Sequence, residues 1–413
     1  MERYLSRWLE IADLHKLEVY EAHDGYRGVR KALFDMTPEG IINEMKSSNL
    51  RGRGGAAFAT GVKWSFIPKD SKKPVYVCCN ADESETGSFA NRYELEFDPH
   101  GIIEGILITC RAVNAQTAYI YFRGEFTAQK RRVDQALAEA RAKGYVGKNI
   151  MGSGFDVEVW THRGAGAYVC GEETALLESL EGKRGYPRNR PPFPAIQGAF
   201  GGPTVVNNVE TMANIPWIVR NGCDAFRELG SSTSRGTKVV SLNSLFCRPG
   251  LYEIEFGLPV RAIVEDIGGG LKTGKIAGVI IGGPLAGVVH PDLFDTPFGF
   301  EELCAIGASV GHGGIVAFDE HTSVPELVHH IFEFGSFESC GKCTPCRLGS
   351  SRIAHHFANI LGRVPGSSLD RTELQDIVSA LRDASACGLG TGLGEFAQSV
   401  LRYYAKDLEP CFM

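Results

Sequence analysis

The sequence VYVCCNADESETGSF, residues 75–89, decides the fold class, because it joins an apolar strand to an acidic loop. Its first five residues are apolar and lie between Pro74 and Asn80, a pattern typical of a strand buried on both faces. Outward from it, helical and strand patterns alternate as far as about residue 225. The predicted elements are a helix at 105–115, a strand at 118–122, a helix at 129–143 and a strand at 155–160. We therefore predict an α/β layer domain.

The composition limits the classes of protein. Of 413 residues, 43% are hydrophobic and 22% are charged, which excludes a disordered or fibrous chain. The net charge of −6 does not indicate nucleic acid as a partner. The longest uncharged Gly-rich stretch, residues 276–289, is too short and too broken by Gly and Pro to insert into a membrane. The N-terminus carries charges from its second residue and has no apolar region of a signal peptide, so we expect a cytoplasmic protein.

The rest of the chain falls into further segments. Near the N-terminus, Thr37 followed by Pro38 predicts a helix start. Strand patterns at 238–244 and 252–256 predict a β-rich unit with its own glycine turns. From Val324 onward the pattern is helical again, interrupted by a cysteine-rich loop.

That loop, ESCGKCTPCRLG, carries the strongest chemical signal. Cys340, Cys343 and Cys346 follow one another every third residue, so three thiolates can hold one face of an iron–sulfur cube. For the fourth iron, Cys387 on a loop after a predicted helix is preferred to Cys411 near the chain end. The alternative is a structural zinc site, which usually draws its ligands as two separated pairs and often includes His. The spacing favours an iron–sulfur cluster.

The other cysteines are not expected to form disulfides in an intracellular chain. Their apolar surroundings predict small core residues. These are Cys78, Cys79, Cys110, Cys170, Cys223, Cys247 and Cys304.

Glycine is also unusually frequent, with 50 residues gathered in short clusters. The segment RGRGGAAFATG, residues 51–61, offers backbone N–H groups unobstructed by side chains, and Lys63 follows closely. Such a loop suits a phosphate or a flat ring pressed onto the backbone. Its match to the dinucleotide fingerprint G-x-G-x-x-A is weak, because that fingerprint follows a strand and a helix is predicted here. By itself the loop is equally compatible with an ordinary turn.

Two acidic clusters complete the motifs. Asn80, Asp82, Glu83 and Glu85 follow the buried strand, and ligands of α/β sheets usually bind at the carboxyl ends of strands. The alternative is a solvated acidic loop. Residues 171–173, Gly-Glu-Glu, open a predicted helix, and acids in a first turn are also favoured by the helix dipole alone.

The segments GAGAYVCGEETALLESLEGKRGYPR, GGPTVVNNVET and ESCGKCTPCR closely resemble the NADH-binding flavoprotein subunit of bacterial respiratory complex I. The same module recurs in soluble NAD-linked hydrogenases, formate dehydrogenases and related oxidoreductases. The resemblance runs from about residue 28 to residue 405. It implies an N-terminal extension at 1–35, a Rossmann-like flavin- and NADH-binding α/β domain at 36–235, a ubiquitin-like β-grasp (SLBB-type) domain at 236–325, and a helical bundle with a 4Fe-4S cluster at 326–413.

The resemblance also implies site residues. The loop around Gly52, Arg53, Gly54 and Lys63 is expected to hold the flavin phosphate and ribityl chain. Further cofactor-binding residues are expected at Asn80, Asp82, Glu83, Tyr168, Gly171, Glu172, Asn207 and Asn208. The adenine of NADH is expected between Phe58, Phe66 and Phe193, and its nicotinamide end and ribose against the catalytic candidates Glu85 and Glu173. The metal ligands are expected to be Cys340, Cys343, Cys346 and Cys387.

Two physical arguments accompany this expectation. Pocket carboxylates oppose the extra phosphate of NADP, which favours NAD(H) as the substrate. The carboxylates in question belong to Asp82, Glu83, Glu85, Glu172 and Glu173. A nicotinamide stacked on the flavin can pass hydride directly to it, so no protein acid or base is required. FMN is the usual flavin of the family, and the loop does not exclude FAD.

We therefore expect an NAD(H)-dependent diaphorase subunit, an oxidoreductase that passes single electrons through its cluster to or from partner iron–sulfur subunits. Ala57 stands for a glycine of the family, and Ala59 and Thr86 stand for prolines, which favours a soluble complex of hydrogenase, formate dehydrogenase or aldehyde oxidoreductase type. Neither a thioredoxin-like 2Fe-2S domain nor a ferredoxin-like domain is expected. The alternatives are the corresponding subunit of respiratory complex I, an electron-bifurcating complex, and a non-catalytic binding module with zinc in the cysteine site.

Overall fold

The computed structural model describes residues 3–365 and 368–412. The chain divides into two compact units. The first unit comprises Met1–Ser84, Phe89–Val239 and Tyr252–Phe256, and the second comprises Glu85–Ser88, Val240–Leu251 and Gly257–Met413. None of the helices in the described ranges has the length and apolar character that crossing a membrane requires.

Four parallel strands form the sheet of the first unit: β1 (Tyr76–Ala81), β2 (Thr117–Phe122), β3 (Glu158–Arg163) and β4 (Thr204–Asn208). Their order is β3–β2–β1–β4. The predicted strands at 75–79 and 118–122 are confirmed as β1 and β2, and the strand predicted at 155–160 is β3, shifted by three residues. The interior of β1 is fully buried, as its apolar sequence predicted.

The order of this sheet determines where a ligand can bind. The chain leaves β1 for β2 on one side and later returns to β4 on the other side. Loops therefore diverge at the carboxyl edge between β1 and β4, which is the usual binding position in open α/β sheets. In the register of this pair, Cys79 lies opposite Asn207 and Asn80 lies opposite Asn208. Polar residues of both strands thus meet at that edge.

Helices pack around the sheet of the first unit. They are α1 (Leu17–Ala22), α2 (Arg27–Phe34), α3 (Pro38–Ser48), α4 (Thr60–Ser65), α5 (Ala90–Phe97), α6 (Pro99–Val113), α7 (Thr127–Ala142), α8 (Glu173–Leu180), α9 (Val209–Asn221) and α10 (Cys223–Glu228).

Two helix starts show how local sequence sets these bounds. The Thr37 hydroxyl accepts a hydrogen bond from Gly40 N at 3.0 Å, which confirms the predicted start of α3. Helix α6 begins six residues before its predicted start at residue 105. The reason is Asp98, whose carboxylate accepts from Gly101 N at 3.1 Å, with Pro99 in the first helical position.

The second sheet follows in the chain. Its strands are β5 (Thr237–Leu242), β6 (Gly250–Glu255), β7 (Ile276–Ile281), β8 (Val288–Val289) and β9 (Gly314–Asp319), in the order β6–β5–β9–β7–β8. Strands β5 and β9 are parallel, and β7 runs antiparallel to β8 and β9. Both strand patterns predicted for this region, at 238–244 and 252–256, are confirmed as β5 and β6.

Helices dominate the rest of the second unit, as predicted from Val324 onward. They are α11 (Phe300–Ala305), α12 (Val324–Glu338), α13 (Ser350–Ile360), α14 (Arg371–Ala384), α15 (Gly388–Tyr403) and α16 (Ala405–Leu408). Ser323 caps α12 by accepting from Glu326 N at 3.4 Å. The cysteine-rich loop connects α12 to α13.

Candidate functional site

The glycine-rich loop between α3 and α4 is closed by its own hydrogen bonds. Gly52 N donates to Phe58 O at 2.9 Å, and the Arg51 side chain donates to Ala57 O at 2.8 Å. Arg53 N donates to Thr211 Oγ1 on α9 at 2.9 Å. Because the amides of residues 52 and 53 are engaged within the protein, the loop's candidates for holding a ligand are the amides of residues 54–57.

The space around these glycines fits a flat ring or a phosphate. A Cβ at Gly54 would lie 2.8 Å from Asn208 Cβ, so only glycine lets the loop approach the end of β4 this closely. A Cβ at Gly55 would meet nothing within 4 Å. Its φ of +116° is readily adopted only by glycine. The loop therefore offers bare backbone next to Asn208, which suits the flavin that the resemblance implies.

Ala57, which replaces a glycine according to the resemblance, has a φ of +52°. The left-handed region costs an L-residue with a Cβ roughly 1–2 kcal/mol. The substitution therefore keeps the loop conformation at the expense of local strain.

Arg53 supports the loop from inside the first unit. Its side chain is fully buried, donates to Arg235 O at 2.7 Å and lies 4.7 Å from the ring centroid of Phe256. Burial lowers the pKa of its guanidinium. The guanidinium thus anchors the loop to neighbouring segments, and the flavin contact expected of Arg53 stays a prediction.

The ends of β1 and β4 bring several predicted residues together. Asn80 Nδ2 donates to Gly171 O at 2.9 Å, and Asn80 Oδ1 accepts from Asp82 N at 3.0 Å. These bonds join the loop after β1 to the turn Tyr168–Gly171 that precedes α8. Asn208 caps α9 by accepting from Glu210 N at 2.9 Å. Polar groups of three segments therefore surround the carboxyl edge of the sheet.

Asn207 and Tyr168 are placed by single contacts. With its amide oxygen facing Trp64, Asn207 accepts from the indole Nε1 at 3.0 Å, and its side-chain nitrogen donates to Val206 O at 3.1 Å. The carbonyl of Tyr168 accepts from Ser84 Oγ at 3.4 Å.

Two of the predicted pocket carboxylates are bound to helix N-termini. Glu83 is fully buried and accepts from the backbone N–H groups of Asn91 and Arg92 at 2.8 and 3.2 Å and from Arg92 Nε at 2.9 Å. Burial raises the pKa of Glu83, and the Arg92 charge opposes that shift. Glu172 caps α8 by accepting from the backbone N–H groups of residues 174 and 175 at 2.9 and 2.8 Å.

Glu173 lies between two cations. Its Oε2 accepts from Lys63 Nζ at 2.7 Å, and Lys63 also donates to Val206 O on β4 at 2.8 Å. The Arg190 guanidinium lies 3.5 Å from Glu173 Oε1 and 3.8 Å from Glu172 Oε1. Sequence reasoning missed Arg190, although it stands in the basic run RGYPRNR directly after α8.

The three predicted adenine-binding rings are each about half exposed, which is unusual for phenylalanine. The ring centroids of Phe58 and Phe66 lie 6.1 Å apart with an interplanar angle of 50°. Phe193 lies in the segment that follows Arg190. Exposed rings of this kind can stack on a base.

Glu85 belongs to the second unit. Its side chain packs on Gly283, where an added Cβ would lie 2.3 Å from Glu85 Cγ. Gly283, with a φ of +108°, therefore gives Glu85 its place.

The cysteine loop and the start of α15 lie side by side in the second unit. Cys346 is buried with its Sγ 3.3 Å from Ser339 Oγ, whereas Cys340 and Cys343 are partly exposed. A Cβ at Gly390 would lie 3.1 Å from Cys346 Cβ, and Cys387 is the N-cap residue of α15. Burial raises the pKa of Cys346, while the Ser339 hydroxyl opposes that shift.

Four thiols from two adjoining segments are the donor set that a 4Fe-4S cluster takes. Within the described ranges, no group of three or more His, Cys, Asp or Glu side chains is arranged to hold a metal ion. The fit to a cluster therefore rests on the residue type and the adjoining segments of the four cysteines.

The remaining cysteines divide into two groups. Cys78, Cys79, Cys110 and Cys170 are buried as predicted, and burial raises the pKa of Cys78 to about 12. The prediction of core positions was wrong for Cys247 and Cys304, which are exposed, and Cys223 is partly exposed. Beside two of these thiols the preceding residue is the buried one, namely Phe246 before Cys247 and Leu303 before Cys304. No disulfide joins any of the twelve cysteines, all of which lie in the described ranges.

Known protein families match both units. Residues 45–217 match the Nuo51 FMN-binding domain, and residues 326–411 match the NADH-ubiquinone oxidoreductase-F iron–sulfur binding region. Fold and site therefore define an oxidoreductase subunit with an FMN-binding domain and a 4Fe-4S-binding region.

Individual relatives extend over nearly the whole chain. The second F-type subunit of the NADH-quinone oxidoreductase of Rhizobium meliloti (strain 1021) is 46% identical over 410 residues, which cover 98% of this chain and 96% of the relative. The F-type subunit of the NADH-quinone oxidoreductase of Streptomyces coelicolor (strain ATCC BAA-471 / A3(2) / M145) is 44% identical over 407 residues, which cover 98% of this chain and 90% of the relative. A chain in the crystal structure of an NAD+-reducing NiFe-hydrogenase in the H2-reduced state superposes with a TM-score of 0.86 at 33% identity, covering 100% of this chain and 67% of that chain. The chain belongs to the family of F-type subunits of NADH-quinone oxidoreductase.

Proposed function

We propose that this chain is a diaphorase subunit that exchanges hydride between NAD(H) and FMN and passes single electrons to or from partner iron–sulfur subunits. One observation carries the proposal: in a chain with an FMN-binding domain, bare backbone at Gly54 packs on Asn208 at the carboxyl edge of the sheet. When bound, FMN supplies the hydride chemistry and the 4Fe-4S cluster supplies one-electron steps. The protein supplies binding, alignment and exclusion of water.

The proposed flavin contacts divide by type of group. The backbone of the glycine-rich loop holds the phosphate and ribityl chain, with Lys63 of the following helix α4 as a nearby cation. Polar groups at the sheet edge complete the pocket, namely Asn80, Asp82, Tyr168, Gly171, Asn207 and Asn208. Glu83 and Glu172 act on the pocket through the helices whose N-termini they cap.

The nucleotide is proposed to bind on the exposed side of this pocket. Phe58 and Phe66 present a tilted pair of rings to the adenine, and Phe193 supplies a third ring. Glu173 hydrogen-bonds the ribose, held in place by Lys63 and Arg190. Glu85 is the proposed contact for the nicotinamide end.

Residues from about 236 to 325 are proposed to form a ubiquitin-like β-grasp domain of SLBB type, and residues from about 326 onward a helical cluster domain. The parallel central pair β5 and β9, with an antiparallel strand beside it, supports the β-grasp domain.

Electrons are proposed to leave or enter near the cysteine loop, where Phe337 is 86% exposed and Leu348 is also exposed. Exposed apolar side chains beside a redox centre suit contact with a partner iron–sulfur protein. The absence of disulfides among twelve cysteines is consistent with the reducing cytoplasm.

The complex that contains the chain has two candidates. The 33% identity to a chain of an NAD+-reducing hydrogenase structure, with full coverage of this chain, supports a soluble complex of hydrogenase, formate dehydrogenase or aldehyde oxidoreductase type. The 46% identity to an F-type subunit of an NADH-quinone oxidoreductase supports respiratory complex I. The hydride and electron chemistry of this chain is the same in both.

The test of the proposed function is an anaerobic absorption spectrum of the chain reconstituted with FMN, iron and sulfide. We expect the flavin bands and the broad iron–sulfur absorption to bleach on addition of NADH and to respond far less to NADPH. A protein that stays colourless after reconstitution would contradict the proposal and support a non-catalytic binding module.

Replacement of Glu173 by glutamine is expected to weaken the preference for NADH over NADPH. The change removes the carboxylate that pairs with both Lys63 and Arg190, so the 2′-phosphate of NADPH meets less repulsion, a Lys63 without its carboxylate, and an Arg190 that keeps only its contact with Glu172. Loss of one charge contact at a partly exposed site corresponds to about 1–2 kcal/mol, or roughly 10-fold in the ratio of kcat/KM values. The measurement is reduction of an artificial one-electron acceptor with each nucleotide.

The matched control for this experiment is Glu178→Gln. Glu178 lies on the same helix and pairs with Arg188. The Glu178→Gln variant is expected to keep the wild-type preference for NADH over NADPH. An unchanged ratio in Glu173→Gln as well would show that Glu173 does not face the nucleotide phosphate region.

A further inference from the structure

A chain of hydrogen bonds leads from the proposed flavin pocket to a buried carboxyl group. Asn208 Nδ2 donates to Asn91 Oδ1 at 2.7 Å, and Asn91 Nδ2 donates to Glu94 Oε2 at 2.8 Å. Glu94 lies in the middle of α5 and is 1% exposed. Two hydrogen bonds, both made by the Asn91 side chain, therefore connect Glu94 to the pocket residue Asn208.

The other oxygen of Glu94 faces the opposite way. Oε1 is buried and has no hydrogen-bond partner among the residues that the structure describes. Glu94 also lines a small cavity of about 20 Å³ in the first unit that opens to solvent, which is room for one or two water molecules. Other walls of this cavity are formed by Tyr4, Arg7, Tyr20, Asp98 and Trp217. A cavity with polar walls beside an unsatisfied buried oxygen is a place for ordered water.

Charged and titratable groups face Glu94 from each neighbouring element. They are Cys79 on β1, Glu83 before α5, Glu210 on α9, Lys238 on β5, and, around the cavity, Tyr4, Arg7, Tyr20, Asp98 and Arg220. Burial raises the pKa of Glu94 well above its usual range, the Glu210 and Glu83 carboxylates add to that shift, and the Lys238 charge opposes it. Glu94 is thus a buried carboxyl group whose protonation depends on the charges around it.

We propose that Glu94 is a proton-exchange site of the flavin pocket, reached from solvent through this cavity and coupled to the pocket through Asn91 and Asn208. The inference rests on the proposed function, since it takes Asn208 as a flavin contact. Hydride transfer from NADH brings two electrons and one proton, and so one negative charge, into the pocket. Glu94 responds by binding one proton from bulk solvent, delivered through the cavity water, so that its carboxylate becomes a carboxylic acid. No electron moves at Glu94, and reoxidation returns the proton to water.

The test compares the full chain, loaded with FMN and the cluster, with its Glu94→Gln variant. The midpoint potential of the flavin is measured against pH. Reduction of the flavin is expected to raise the pKa of Glu94. At pH values between the pKa of Glu94 in the oxidised protein and its pKa in the reduced protein, the wild type takes up one additional proton on reduction. The midpoint potential of the wild type therefore falls more steeply with pH in that interval. Glu94→Gln is expected to lack the steeper segment. Glu96→Gln on the same helix, where Glu96 bonds Gln129 Nε2 at 2.8 Å, is expected to retain it.

A second measurement covers the case in which Glu94→Gln does not fold. Redox-difference infrared spectra of the wild type are expected to show a protonated carboxyl band that grows on flavin reduction and shifts in D2O. Glu94→Asp is expected to move that band. Potential curves that coincide for wild type and Glu94→Gln, or a wild type without the band, would overturn the inference while leaving the proposed function intact. A wild type that binds no FMN would instead overturn the proposed function.

Discussion

Replacement of Cys387 by serine is expected to remove nearly all cluster iron from the chain, whereas replacement of Cys411 is expected to leave it at the wild-type level. Cys387 is the N-cap residue of α15, one turn before Gly390, whose Cα packs against Cys346. Cys411 lies in the short terminal helix Glu409–Phe412, buried, and burial raises the pKa of its thiol. The fourth corner ligand must come from a segment that adjoins the cysteine loop, and the start of α15 with Cys387 is such a segment.

The measurement is iron and acid-labile sulfide per chain after anaerobic reconstitution, together with the visible spectrum. Cys340→Ser, Cys343→Ser and Cys346→Ser are expected to behave like Cys387→Ser, because each removes one corner ligand of the cluster. Loss of iron in Cys411→Ser with retention in Cys387→Ser would reverse the assignment of the fourth ligand. The four variants would keep FMN, since the flavin residues proposed above lie in the first unit, apart from the nucleotide contact Glu85.

The centre of the parallel sheet was predictable because β1 is buried on both faces over residues 77–79. An apolar run such as residues 75–79 has few alternatives when Pro and Asn bound it, and it became β1. The same reasoning found the carboxyl edge, where the register places Asn80 opposite Asn208. Helix α6 was less accurate, because its start depends on the cap formed by Asp98 and Pro99 and not on apolar periodicity.

The acidic residues were harder to assign from sequence. A carboxylate that caps a helix and one that faces a ligand have the same residue type and the same local pattern, and they differ only in direction. Glu83 and Glu172 proved to accept from backbone N–H groups of α5 and α8, which is the alternative that the helix dipole offers. Arg190 was missed because its partner Glu173 lies 17 residues earlier in the chain. The charge of the pocket is therefore more balanced than its five acids suggested.

Substitution of Lys238 by methionine is expected to destabilise the first unit by about 3–5 kcal/mol, because it leaves a buried carboxylate without its cation. Lys238 on β5 donates to the Glu210 carboxylate of α9 and to Val239 O, and both charged side chains are 1% exposed. Glu210 also accepts from Val239 N at 3.2 Å, so the carboxylate ties the helix to the strand. The free energy of unfolding from urea titration is the measurement.

Two further variants separate the buried pair from the general loss of a lysine. Lys130→Met removes the partly exposed pair with Asp134 on α7 and is expected to cost about 0.3–0.5 kcal/mol. Lys238→Met combined with Glu210→Leu removes both charges, so most of the lost stability is expected to return. A loss of less than about 1 kcal/mol in Lys238→Met would contradict this account of a buried ion pair.

The same substitution also acts on Glu94, because the Lys238 charge opposes the rise of the Glu94 pKa and the Glu210 charge adds to it. If Lys238→Met folds, the pKa of Glu94 is expected to rise further. The steep segment of the curve of flavin midpoint potential against pH is then expected to move to higher pH.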